Sequence, residues 1–215
     1  MKDKSIIYEI IVFLIILFFL IIPPFFNAPV TDVSAFFSWN FPLRQLGLCA
    51  FAVVLYFLSR NLNLSHADKK KIFFPSMIAL SLMFFTALII KVITHNGVRT
   101  MTQLLPQTGL EWLFCMMTFA FSSVYEEVIY RFYFSDALKR LLVFTRLPDN
   151  RVIFWIAEAA GLLVFAFAHF YLGIAAVINA AVAHAVLRVL YKKTNLIWNC
   201  VIIHFIYNII SLILL

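Results

Sequence analysis

Long apolar runs, separated by short polar segments, follow one another along the whole chain. A membrane interior about 30 Å thick needs about 20 apolar residues per helix, and its lack of water favours helices. The pattern therefore predicts an all-α, polytopic membrane helix bundle of about seven transmembrane helices, six to eight being compatible with the runs. The predicted spans lie near Ile6–Ile22, Leu46–Leu58, Ile72–Ile90, Leu110–Val128, Val152–Phe170, Ile174–Tyr191 and Leu196–Leu215.

Three details refine this pattern. The second run is short, unless its helix begins upstream at Phe41. No proline or glycine interrupts the chain from Leu110 to Leu142, so the fourth helix is expected to continue well beyond Val128. The aromatic residues of Pro23–Asn40 suit an interfacial position on the outer face of the membrane.

The composition supports the membrane class. Hydrophobic residues make up 64% of the chain and charged residues only 13%, and the mean hydropathy is +0.99. A soluble domain of this size could not bury so much apolar surface. We therefore expect a single integral membrane domain over residues 1–215. The cysteines Cys49, Cys115 and Cys200 lie in apolar runs without CxxC spacing, which indicates neither a disulfide framework nor a thiolate metal site.

The distribution of lysine and arginine predicts the orientation. Basic residues concentrate before the first run and in alternate loops, and cytoplasmic loops carry such an excess. The N-terminus is therefore expected in the cytoplasm and the chain in the plasma (inner) membrane. The net charge of +7 reflects topology and lipid headgroups rather than nucleic acid, because no basic face is formed. The residues predicted to be cytoplasmic are Lys2, Lys4, Arg60, Lys69, Lys70, Lys71, Arg131, Lys139, Arg140, Arg146, Arg151, Arg188, Lys192 and Lys193, and those outside are Arg44, Lys91 and Arg99.

Three short polar motifs interrupt the apolar runs. Each ends on residues four apart, which share one face of a helix. An ionisable group inside a membrane costs roughly 2.5–3.5 kcal/mol on insertion scales, so such groups are candidates for a functional site. The motifs are Glu126-Glu127-x-x-x-Arg131, Phe165-x-x-x-His169 and His204-x-x-x-Asn208.

The first motif offers two acids with different surroundings. Glu127 precedes Arg131 by four residues, the favoured order for an ion pair on a helix. Glu126 is then left to face the bundle interior, with Tyr130 one turn along its face. An ordinary cytoplasmic helix end, where Glu and Arg are common, explains this motif equally well on its own.

The second and third motifs supply histidines. A neutral imidazole accepts a proton from water near neutral pH, which suits His169, and Phe165 would pack beside that ring and exclude bulk water. His204 and Asn208 carry N–H groups that can stabilise charge on a carbonyl oxygen. Taken singly, each motif is more often structural: a satisfied histidine at a helix end, or an interhelical hydrogen bond.

In their order and spacing, the motifs resemble those of the CPBP family, also called the Abi or CAAX-protease family. Its members include type II CAAX prenyl endopeptidases and bacterial relatives implicated in bacteriocin immunity, and they carry EExxxR, FxxxH and HxxxN in this order. All three motifs are complete here, and the resemblance covers about residues 110–215. Residues 1–109 match only as generic membrane spans.

The resemblance implies a glutamate-dependent intramembrane endopeptidase that cleaves a peptide bond in a membrane-embedded, cytoplasm-facing cavity. By analogy Glu126 and His169 activate the water, and His204 and Asn208 stabilise the tetrahedral intermediate.

By the same analogy Glu127 and Arg131 orient the first glutamate. Prenyl-processing relatives often carry an asparagine one turn after the second-motif histidine, and here that position is Gly173. The expected partners are therefore membrane lipid and a hydrophobic or lipid-modified peptide or protein, without a commitment to a prenyl group.

Several alternatives remain open. The chain lacks HExxH, GxSxG and GxGD, the patterns of other intramembrane proteases. No cofactor is favoured, and the metal alternative is zinc held by Glu126, His169 and His204 with an open water position. A catalytically silent peptide-binding or bacteriocin-immunity protein of the same fold is the functional alternative. A transporter is disfavoured, since no glycine splits the last run. Glu158 is interpreted as a supporting carboxylate or as part of a water-filled entry, and His184 and Asn179 as helix contacts.

Overall fold

A computed structural model of the protein describes residues 2–28, 40–59, 70–95, 105–144 and 150–214. Every regular element in these ranges is a helix. Arg60, Lys69, Arg99 and Arg146, used above for orientation, and residues 29–39 of the predicted interfacial segment lie outside the described ranges. The α-helices are α1 (Lys2–Ile16), α2 (Leu43–Ser59), α3 (Lys70–His95), α4 (Gly109–Glu126), α5 (Ser135–Val143), α6 (Asn150–Phe167), α7 (Ile174–Thr194) and α8 (Ile197–Leu214).

Within the described part of the chain, 6 helical stretches are long and apolar enough to cross a membrane. The second predicted run forms α2, an apolar helix of 17 residues that begins at Leu43 and is too short to be counted with them. The predicted all-helical, polytopic membrane class is confirmed. The six stretches are Ile7–Phe26, Ile72–Ile93, Gly109–Val143, Arg151–Leu172, Ile174–Thr194 and Ile197–Leu214.

The start of α4 is fixed by a capping box. The Thr108 hydroxyl oxygen accepts a hydrogen bond from the Glu111 amide at 3.3 Å, and the Thr108 amide donates to Glu111 Oε2 at 3.2 Å. Together these bonds satisfy amide groups that a helix start would otherwise leave without partners. The helix therefore begins at a defined residue, which sets the phase of every later residue along it.

The fourth helix runs past Val128, as predicted, and helical structure continues to Val143. Between α4 and α5, however, the chain forms a π-helix over Glu127–Phe134. Hydrogen bonds from residue i to i+5 widen this turn, and π-helical segments occur frequently at functional sites. The first motif therefore begins where the helical geometry changes.

The chain packs as two compact units. The first unit consists of Met1–Pro29 and Ile129–His184, and the second of Val30–Val128 and Ala185–Leu215. In the first unit, α1 packs on the π-helix through Phe13 and Phe134, whose rings stack with centroids 5.5 Å apart.

In the second unit, α3 and α8 run side by side in the same direction. Asn199 Nδ2 donates to Ser76 Oγ at 2.8 Å. A bond between Lys91 Nζ and the Leu214 carbonyl, at 3.3 Å, lies 15 residues further along both helices. Because the second bond lies the same number of residues after the first on both helices, the two helices are parallel and in register. Two spans separated by three crossings are expected to run in the same direction. Trp198 also contacts the ring of Tyr56 on α2, with centroids 5.4 Å apart. These contacts fix the rotation of α8.

The Ser76–Asn199 bond should have a measurable coupling energy. Interhelical hydrogen bonds in membranes average about 0.6 kcal/mol and reach about 1.7 kcal/mol. A double-mutant cycle with Ser76→Ala and Asn199→Ala, followed by SDS unfolding in mixed micelles, should give a coupling in this range. Thr86→Ala is the matched control, because its hydroxyl bonds the Leu82 carbonyl of its own helix at 2.9 Å. A coupling with Asn199 as large for Thr86 as for Ser76 would contradict the proposed register.

Candidate active site

Two adjacent glutamates contact one imidazole in the second unit. His204 Nδ1 lies 2.8 Å from Glu127 Oε1, and His204 Nε2 lies 3.9 Å from Glu126 Oε2. Glu127 is fully buried, His204 is buried and the Glu126 side chain is 22% exposed. Each ring nitrogen therefore faces a different carboxylate, and only Glu126 of the two acids retains access to solvent or substrate.

The acceptor on Nδ1 determines the proton arrangement of the His204 ring. A carboxylate oxygen accepts, so Nδ1 must donate to Glu127. The distance from Nε2 to Glu126 exceeds that of a direct hydrogen bond. A single oxygen atom could lie about 2.8 Å from both His204 Nε2 and Glu126 Oε2, and the angle between the two contacts at that oxygen would be roughly a right angle. The pair thus has the dimensions to hold a single reacting oxygen.

Asn208 lies one turn after His204 on α8, on the same face and half-buried. Its helix is the one whose rotation is fixed by Asn199 and Trp198. Both third-motif side chains are therefore carried on a rigid element, which is what a preorganised hydrogen-bonding site requires.

In the first unit, the second motif is built around the buried ring of Phe165. This ring is 2% exposed and touches both the histidine of its own motif and the arginine of the first motif. The contacts are His169 with ring centroids 4.8 Å apart, Tyr130 edge-on at 5.3 Å, His184 at 5.3 Å, and the Arg131 guanidinium carbon 5.5 Å from the ring centroid. Phe165 therefore does more than shield His169, because it also supports the fully buried Arg131 by a cation–π contact.

His169 lies just beyond α6, where the helix ends. Its ring Nδ1 is 2.9 Å from the Phe165 carbonyl. A carbonyl oxygen only accepts, so Nδ1 donates, and in a neutral ring Nε2 then carries the lone pair. The half-buried imidazole is thus fixed in the tautomer that a general base needs.

Gly173 has a structural reason to be glycine. It follows the 3-10 turn Phe170–Leu172 with φ 95° and ψ 170°. This backbone conformation is essentially restricted to glycine. An asparagine, as often found there in prenyl-processing relatives, would be strained in this loop.

The seven predicted site residues thus form two clusters, one in each unit. Glu126, Glu127, His204 and Asn208 belong to the second unit, and Arg131, Phe165 and His169 to the first. The pairing of Glu127 with Arg131 stays a prediction. Among the described residues, no group of three or more His, Cys, Asp or Glu side chains is arranged to hold a metal ion.

Three features escaped the sequence reasoning. The π-helix has no proline or glycine to announce it, and the bond from His204 to Glu127 joins residues far apart in the chain. His184 contacts another helix, as the sequence predicts, but the sequence does not indicate that this contact is with the Phe165 ring. The sequence indicates the unusual position of His184 only by placing a histidine inside an alanine-rich helix.

Comparison with known proteins is informative for the second half of the chain. Residues 107–210, just under half of its length, match the family model described as type II CAAX prenyl endopeptidase Rce1-like. The matched segment contains all three polar motifs. No curated protein and no solved structure shows a significant match.

Glu127 should be needed for stability through its bond to His204. Glu127→Ala leaves a buried N–H without its acceptor, at a cost of about 1–3 kcal/mol. Glu127→Gln keeps an amide oxygen that can accept the same bond and should cost less. Unfolding in SDS micelles measures both, with Glu9→Ala as the control, since its ion pair with Arg140 is on the surface. If the alanine and glutamine variants lose the same free energy of unfolding, the bond to His204 is not the reason that Glu127 stabilises the protein.

Proposed function

We propose that the chain is an intramembrane endopeptidase of the CAAX-protease type, which cleaves peptide bonds with a water activated by Glu126 and His169; the match of residues 107–210 to the Rce1-like family model supports the class. The observation that carries this proposal is the placement of Glu126 and Glu127 on opposite nitrogens of the buried His204 ring. A structural ion pair needs one carboxylate, whereas hydrolysis needs one acid to take a proton and a separate group to stabilise charge.

In this mechanism His204 stabilises the oxyanion. Because Nδ1 donates to Glu127, the ring must carry a second proton on Nε2 in order to donate to the substrate oxygen. The buried Glu127 carboxylate compensates the resulting charge. Asn208, one turn along α8, supplies the second donor. Removal of one such donor from an oxyanion site typically costs about 10²–10³ in kcat.

Glu126 moves the proton. Its carboxylate accepts a proton from the attacking water as the water oxygen bonds to the carbonyl carbon, and returns it to the amine as the C–N bond breaks. His169 is assigned to the same step by its motif, and its Nδ1 bond to the Phe165 carbonyl leaves Nε2 as the proton acceptor in the neutral ring.

The substrate class follows from the membrane setting. We propose a hydrophobic or lipid-modified peptide or protein that approaches from the bilayer, with lipid as the surrounding partner. The proposed substrate is not restricted to prenylated proteins. Prenyl-processing relatives often carry an asparagine at the position of Gly173, and the backbone conformation of this residue does not suit an asparagine.

The activity should depend on the carboxylate of Glu126. Purified protein, incubated with a library of fluorogenic membrane peptides, should cleave some of them. Glu126→Gln and His169→Ala should each lower kcat about 10²–10⁴-fold, the range typical of a lost general base. Asn208→Ala should lower it about 10²-fold. Glu9→Gln is the matched control, because it removes a carboxylate that pairs on the surface.

Repeating the assay with a chelator distinguishes a glutamate protease without metal from a metal-dependent protease. Activity that survives chelation but not Glu126→Gln supports a glutamate protease without metal. Loss on chelation and recovery with zinc would indicate a metal on Glu126, His169 and His204 instead. If folded wild-type protein cleaves nothing, the peptide-binding or immunity alternative replaces the enzyme.

We further propose that the N-terminus lies in the cytoplasm and that the chain resides in the plasma membrane. A cysteine at the exposed residue 107 should then react with a membrane-impermeant maleimide on intact cells. A cysteine at exposed residue 192 should react only after permeabilisation. Both variants, Gln107→Cys and Lys192→Cys, should be made after Cys49, Cys115 and Cys200 are replaced by alanine. The reverse labelling pattern would overturn the orientation.

A further inference from the structure

Gly161, Phe165 and His169 follow one another at intervals of four, on one face of α6 and its end. In the first unit the π-helix and α5 face this row with their own residues four apart. The Arg131 guanidinium lies over the Phe165 ring. Ser135 Oγ lies against Gly161, so close that a Cβ at position 161 would overlap it. The glycine therefore leaves room for the Ser135 hydroxyl where α5 and α6 pack together.

His184 closes the same contact from α7. It is 1% exposed, its ring lies 5.3 Å from that of Phe165, and its Nε2 is 3.7 Å from the position of a Cβ at residue 161. Three helices thus meet at Gly161, directly beside Phe165. The proposed chemistry of the protein makes no use of Ser135, Gly161 or His184.

Phe165 transmits this packing to His169. Its ring packs against the imidazole at 4.8 Å, and its carbonyl accepts the Nδ1 bond at 2.9 Å. The direction of Nε2 is therefore set by where Phe165 lies. A displacement of about 1 Å in a reacting group can cost about 10² in rate.

We infer that Ser135, Gly161 and His184 are positioning residues for His169, which act by fixing Phe165 between α5, α6 and α7. This inference rests on the proposed role of His169 in peptide hydrolysis. The three residues touch no substrate. They determine the direction of the imidazole that does.

The decisive test introduces a steric clash with Gly161→Ala and then removes it with a second substitution at Ser135. Gly161→Ala places its Cβ where the Ser135 hydroxyl lies, so that hydroxyl or α6 must shift, and the disturbed packing should lower kcat about 10–100-fold with KM nearly unchanged. In the double variant Ser135→Ala, Gly161→Ala, the overlapping hydroxyl is gone and the nearest remaining side-chain atom, the Cβ of residue 135, is at an ordinary 3.5 Å. The kcat of this double variant should equal that of Ser135→Ala alone. Gly47→Ala is the matched control, since nothing lies within 4 Å of its new Cβ.

The His184 ring is tested separately. His184→Ala opens space beside Phe165 and should lower kcat, whereas His184→Phe refills that space with a ring and should recover most of the loss. If folded His184→Phe is as impaired as His184→Ala, packing is not its contribution and this residue is removed from the inference.

A second readout does not depend on cleavage. Diethyl pyrocarbonate modifies exposed imidazoles, and mass spectrometry of the peptide containing the half-buried His169 gives the rate at that residue. The rate should change more than about 3-fold in Gly161→Ala and return in the double variant, as the ring moves and recovers. An unchanged rate and kcat in folded Gly161→Ala would overturn the inference.

The two proposals can fail separately. If wild-type protein cleaves no peptide, or if His169→Ala is fully active, the proposed function fails, while the modification rates still judge the positioning. If Gly161→Ala does not fold, the double variant decides: a folded double variant with kcat well below that of Ser135→Ala overturns the positioning role, and an equal kcat supports it.

Discussion

The bond between Glu127 and His204 is the interaction on which the rest of the second unit depends. A fully buried carboxylate is expensive in a membrane bundle, and the imidazole at 2.8 Å satisfies one of its oxygens. This need requires the start of the π-helix and α8 to approach each other at the depth of these two residues. It also fixes which nitrogen of His204 faces Glu126. One contact therefore supplies both the helix packing and the proton arrangement of the candidate site.

The first unit solves a similar problem with an aromatic ring. Arg131 is fully buried, and the face of Phe165 offers its guanidinium a favourable contact that an aliphatic side chain could not. The same ring packs beside His169. The phenylalanine of the second motif and the arginine of the first are thus parts of one cluster, although more than thirty residues separate them in the chain.

The sequence was sufficient for the class of fold, because hydrocarbon thickness imposes helix lengths that apolar runs reveal directly. It was also sufficient to choose Glu126, His169 and His204 as candidates, because charges are rare in such runs. It did not reveal the partner of Glu127. The four-residue spacing predicts a pairing with Arg131, which stays a prediction, whereas the imidazole nitrogen that contacts the Glu127 carboxylate comes from α8. Tertiary contacts of this kind have no local signature.

The pairing of α3 with α8 has a consequence for the limits of the protease-like domain. The family match begins at residue 107, yet α8, which carries His204, is hydrogen-bonded to Ser76 and Lys91 of α3 near both of its ends. Each compact unit likewise joins an N-terminal stretch to part of the matched segment. The start of the family match is therefore not a boundary between separately packed parts of the protein. A fragment cut at the start of the homology would separate the histidine helix from the neighbour that holds it in register.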